Sequence, residues 1–168
     1  MDDNMMGRLA GKTGPISPTG KGRVAYRYYR FRVTAIRGGI SPTMVQISEI
    51  EFYFSGTKLS FSGATATNPG GNNPVGEEPA KAIDGSTATK WLDFNILPLV
   101  IDFGVGGQKV ADSFRFATAN DESGRDPLQW VVEGSKDNTN WNALHTQSTN
   151  ASITTSRLTF TQFFNFQV

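Results

Sequence analysis

The sequence has no cysteine and only one histidine, His145. That excludes a disulfide framework, a thiol nucleophile and a thiolate zinc site, and one imidazole cannot build a histidine-rich zinc or iron centre. No apolar run approaches membrane-spanning length, and no segment carries a long helical stripe. The opening Met1-Asp2-Asp3-Asn4-Met5-Met6 has two acids and no apolar stretch, unlike a secretory signal. Gly-x-Ser-x-Gly, phosphate-loop and HExxH motifs are all missing, so the chain is expected not to be an enzyme.

What is present describes a folded, turn-rich domain. The 168 residues fit one domain with a real core, and 12 Phe, 4 Tyr and 3 Trp supply its mass. With 18 Gly and 8 Pro, turns should be frequent. The net charge of +1 is unevenly spread. Residues 1–48 hold eight Lys or Arg against two Asp, and the remainder is acidic. The basic excess lies in the N-terminal segment and in Arg27, Arg30 and Arg32, which alternate with aromatics as on a two-faced strand. No nucleic-acid stripe is implied.

Residues 1–22, with five Gly and two Pro, read as a flexible N-terminal arm, and residues 23–168 as the folded domain. Period-2 alternation marks Tyr29-Phe31-Val33 as a half-buried strand. Further strands are expected over Val45–Phe54, Lys58–Phe61, Leu99–Phe103, Asp112–Thr118, Leu128–Glu133, Trp141–His145, Arg157–Phe160 and Phe163–Val168. Residues 63–79 read as a loop, and only Glu78–Ile83 suits a helical turn or two. The expectation is all-β: about eight short antiparallel strands in a sandwich of jelly-roll type.

The most informative stretch is Pro79-Ala80-Lys81-Ala82-Ile83-Asp84-Gly85-Ser86-Thr87-Ala88-Thr89-Lys90-Trp91. A tight turn with one carboxylate, hydroxyls and carbonyls can wrap calcium, which takes about six to eight oxygens. It can equally be a plain turn in which Asp84 satisfies nearby N–H groups. A cation would need a second carboxylate from elsewhere.

This stretch resembles the signature of the discoidin, or coagulation factor 5/8 type C, domains and the related family 32 carbohydrate-binding modules. Leu99-Val100-Ile101-Asp102-Phe103-Gly104 and Ser135-Lys136-Asp137-Asn138-Thr139-Asn140-Trp141 match further elements of that family in order. So does the loop Asn120–Pro127 before Trp130. The family's closing hairpin has its likeness at the start of this chain, in Tyr28–Val33 and Ile47–Phe52. The sequence therefore resembles a circular permutant covering about residues 24–168, with the strand near Tyr28 close to the C-terminal strand.

The resemblance implies a galactose-binding-like β-sandwich and a structural calcium site made of Asp84, Thr89, the carbonyls of Lys81 and Ser86, and Glu49. Glu51 is the alternative to Glu49. It also implies a ligand end built from loops 37–43, 64–77 and 119–127, which offer Arg37, Asn68, Asn72, Asn73, Asp121, Glu122 and Arg125 but no aromatic platform. Of these, Arg37, Asn72, Asn73 and Arg125 are the expected ligand-binding residues.

Trp91 and Trp130 are expected in the core, and Trp141 at the rim. His145 should be a surface or hydrogen-bonded residue, and Arg125-Asp126 a loop-fixing ion pair. Asn150-Ala151-Ser152 is a chance glycan-acceptor pattern. The function implied is a non-catalytic carbohydrate-binding or adhesion module, extracellular or on a virion surface, whose partner is a surface glycan. The alternative is a structural or decoration protein of a bacteriophage or viral particle, anchored by the arm and contacting other subunits, with homo-oligomers possible. Neither reading involves membrane insertion.

Overall fold

The computed structural model describes residues 23–39 and 44–167. The arm expected over residues 1–22 lies outside them. Eleven strands form among the described residues: β1 Tyr28–Ile36, β2 Val45–Ile47, β3 Glu49–Phe54, β4 Thr57–Lys58, β5 Thr65–Thr67 and β6 Trp91–Asp93, then β7 Leu99–Asp102, β8 Ser113–Ala117, β9 Pro127–Ser135, β10 Trp141–Gln147 and β11 Phe164–Asn165. Every strand pairing among the described residues is antiparallel. One sheet runs β10-β9-β1-β7-β5 and another β11-β8-β3-β4, while β2 and β6 make a two-stranded ribbon.

The two large sheets face each other as a sandwich. From the first come Tyr29, Phe31, Trp130 and Val132; from the second, Ile50, Phe52, Phe114 and Phe116. Rings meet across the gap: Tyr29 and Phe52 centroids lie 4.8 Å apart, and Phe31 is 5.6 Å from Phe116. Alternation explains β1, where each inward residue is buried and Arg30 and Arg32 face out to Glu133. Trp91 and Trp130 are fully buried, while half-buried Trp141 lies under the Arg30 guanidinium at 4.1 Å.

Several expected strands change form. Val45–Phe54 divides at Ser48, whose Oγ donates to the Thr118 carbonyl. Before it the chain pairs with β6, and after it with β8. Arg157–Phe160 forms only an isolated bridge from Phe160 to Ala117, because Leu158 takes a left-handed φ of 55° that interrupts a ladder. Lys58–Phe61 and Phe163–Val168 shrink to β4 and β11. The expected loop 63–79 contains β5 on the sheet edge, and Pro79–Ala82 forms a short 3-10 turn. The strands likened to a closing hairpin, β1 and β3, lie in opposite sheets and face each other through the core.

Candidate metal centre and the loop end

The break at Ser48 positions the Asp-Gly turn. Ribbon β2–β6 fixes Trp91–Asp93 beside β2, and Glu49 is the first residue after the break. The loop leading into β6 is therefore held over Glu49. Gly85, at φ +81°, allows the sharp reversal that brings two N–H groups down onto that side chain.

Glu49 is 2% exposed. Its Oε1 accepts from Gly85 N at 2.5 Å and Ser86 N at 3.2 Å, but Oε2 is buried with no partner among the described residues. Burial pushes this carboxyl up to about 7; the two N–H bonds oppose the shift, and the neighbouring Asp84 carboxylate adds to it. Asp84 Oδ1 accepts from Ser86 N at 3.0 Å, so the plain turn forms as well.

Thr89 Oγ1 lies 2.9 and 2.8 Å from the two Asp84 oxygens and 3.1 Å from the Ser86 carbonyl. A hydroxyl has one proton to give, so acceptor oxygens outnumber donors here. Lys81 holds its ammonium 3.7 Å from Asp84 Oδ2. A cleft of about 480 Å³, lined by Glu49, Ser60, Ser62 and Asp84 among others, opens onto the cluster.

The donor set is all hard oxygen, which suits calcium rather than zinc or copper. Among the described residues no three His, Cys, Asp or Glu side chains gather as a metal cluster. A cation here has two carboxylates and must take its remaining oxygens from Thr89, carbonyls and water. Glu51 does not share this site. Its oxygens are taken by Lys58 Nζ at 2.6 Å, Tyr53 Oη at 2.6 Å and Arg115 Nε at 2.8 Å.

The described parts of the three loops gather at one end, while residues 40–43 of the first lie outside the described residues. Gly38 N donates to Gly124 O, and Lys90 Nζ reaches Asp121 at 2.8 Å and Glu77 at 3.6 Å. Within that end the expected ligand residues are largely engaged by the protein itself. Asn73 Nδ2 donates to Leu92 O and to Asn68 Oδ1, and Asn68 Nδ2 donates to the Leu97 and Pro98 carbonyls. Arg37 lies 3.5 Å from Asp126, Arg125 lies 3.7 Å from Asp121, and Glu122 accepts from Gly124 N. Asn72 is exposed, and its backbone N–H is held by Asp93.

The expected Arg125-Asp126 pair does not form. Fully buried Asp126 is instead gripped by Arg157 through both oxygens, at 2.8 and 2.5 Å. His145 is buried, with Nδ1 2.8 Å from the Asn165 carbonyl. Sequence reasoning missed two residues at this end. Lys90 is 8% exposed and also bonds Gln46 Oε1; a lysine abutting a core tryptophan was the available signal. Phe94 is 39% exposed, and its N–H donates to the Asn72 carbonyl. It falls just outside the three loops considered.

No family model, curated protein or solved structure matches the chain.

Proposed function

We propose that this chain is a non-catalytic, calcium-stapled recognition module of the galactose-binding-like, discoidin-related type, circularly permuted, that binds glycans. One observation carries it: Glu49 Oε2 is buried and unpartnered, in a carboxyl that the neighbouring Asp84 disfavours as an anion. An unpartnered, buried carboxylate oxygen beside the exposed Asp84 carboxylate is costly, and a cation between the two groups relieves both burial and repulsion. Calcium would be held by Asp84, Glu49, Thr89 and the Ser86 carbonyl, tying the turn to β3. It would supply rigidity and no chemistry. The sandwich with loops gathered at one end, and the order of the Asp84–Trp91, Leu99–Gly104 and Ser135–Trp141 elements, support the family reading. The alternative, a particle-surface subunit, draws on loops without an aromatic platform and on an anchoring arm, residues 1–22, that lies outside the described residues.

The test is calorimetric and thermal titration of chelator-treated protein with calcium chloride. Saturation to about 100 times Kd should stabilise the fold by about 2.7 kcal/mol, and Asp84→Asn should abolish the effect. A melting temperature indifferent to calcium would remove the staple.

A further inference from the structure

We infer that the glycan seat is a cavity at the end of the sandwich opposite the loops, and that it takes a neutral, polyhydroxylated ring of di- to trisaccharide size. This rests on the glycan-binding reading above. The cavity measures about 860 Å³ and lies where edge strand β10 of one sheet approaches β11 of the other, with Asn142–Leu144 on one wall and Asn165–Phe166 on another. Strand β8 runs from Ser113 in its lining to Ala117 beside Ser48, so the cavity and loop 119–127 sit at opposite ends of one strand.

The lining combines two kinds of group that a pyranose needs. Phe163, 51% exposed, supplies apolar ring surface. It is held edge-on by Tyr53 at 4.9 Å and by the Arg115 guanidinium at 5.0 Å from its centroid, so it is a fixed platform. Asn142 and Asn165 are exposed, and neither carboxamide makes a hydrogen bond among the described residues. Each offers both a donor and an acceptor to sugar hydroxyls.

Charge decides the ligand class. The charged side chains found in the lining, Arg23 and Asp112, have opposite signs. Asp112 accepts from Ser55 N at 2.7 Å and Ser113 Oγ at 3.0 Å, its remaining lone pairs can accept sugar hydroxyls, and its single charge is matched in the lining by that of Arg23. A mixed aromatic and carboxamide cavity of this volume suits a small neutral ligand. The loop end, by contrast, spends most of its polar groups on itself.

The experiment is a ¹⁵N-resolved NMR titration of the full chain, calcium-loaded, with lactose, cellobiose, maltose and N,N′-diacetylchitobiose. With at least one sugar, shifts should concentrate at Asn142–Leu144, Phe163–Phe166 and Asp112. Phe163→Ala and Asn142→Ala should each weaken binding about tenfold. Both side chains are exposed, so thermal melts should show the variants folded. Shifts confined to Phe94, Asn72 and Arg125 would overturn the cavity seat and leave the glycan reading standing. The same holds for undiminished binding by Phe163→Ala. Silence toward all four sugars, including the case where the chain's own residues before Arg23 fill the cavity, would overturn the seat. Calcium stabilisation is read separately, so loss of the seat and loss of the staple are distinguishable.

Discussion

At the scale of single residues, Glu49 carries the largest consequence. Its carboxylate is buried beside another, which is unfavourable without a cation and favourable with one. Glu49→Gln keeps the shape and removes the charge, so its effect should reverse sign with calcium. In chelator the variant should melt higher than the parent at neutral pH. In saturating calcium the parent should melt higher, because only it gains the binding free energy. Differential scanning calorimetry of both proteins in both buffers checks this; curves that never cross would mean that no cation uses Glu49. Glu51, two residues along the same strand, shows why spacing alone left the two open. Both side chains leave β3 on one face, and only the surroundings decide. Glu51 meets Lys58, Tyr53 and Arg115, whereas Glu49 meets backbone N–H groups and Asp84.

At the scale of elements, two carboxylates tie strands together and set the response to acid. Asp102 at the end of β7 is held below its ordinary value by the Arg27 guanidinium at 2.7 and 2.8 Å. For Glu51 on β3 burial acts upward, but its bonds from Lys58, Tyr53 and Arg115 outweigh that and bring it down. In both cases the folded value lies below the unfolded one. The stability they contribute is therefore present above about pH 4 and is lost as pH falls through the folded values. Melting temperature should drop steeply below about pH 4, and Asp102→Asn should flatten part of that slope.

The elements also show what the sequence made legible. Strands with a clear two-residue alternation, such as β1, or with a dense set of large apolar residues, such as β8 and β9, were readable because burial writes the pattern directly. Strand β5, Thr65-Ala66-Thr67, was not, since its threonines are exposed on a sheet edge and nothing apolar marks it. The break at Ser48 was equally hidden, because the residues on both sides of it are buried and a change of partner leaves no trace in hydropathy. For the site, Asp84, Thr89 and Glu49 were legible through the resemblance. Lys90 and Phe94 were not, since their roles depend on loops meeting in space.

At the scale of the whole molecule, the chain's two described extremities converge: Tyr26 and Phe166 line the same cavity. A rearranged chain that joins Gln167 to Val24 through a short glycine-serine linker and opens at Gly56 should therefore fold. Gly56 sits in the exposed β3–β4 turn. Urea denaturation should remain cooperative, with a loss of no more than about 2 kcal/mol; failure to fold would mean that the present order of strands is required. That order has a cost during synthesis. Of the described strands β1 emerges first, yet it ends in the middle of its sheet, flanked by β7 and by β9, whose Ser135 pairs with Tyr28. At about 5–20 residues per second, ribosomes need roughly 5–20 s to deliver that second neighbour. A strand rich in tyrosine and phenylalanine waits with both edges open until β7 is made, and with one edge open until β9 follows. The nascent chain is thus most dependent on chaperones before its ninth strand appears, and most exposed to pairing with a neighbour on the same messenger.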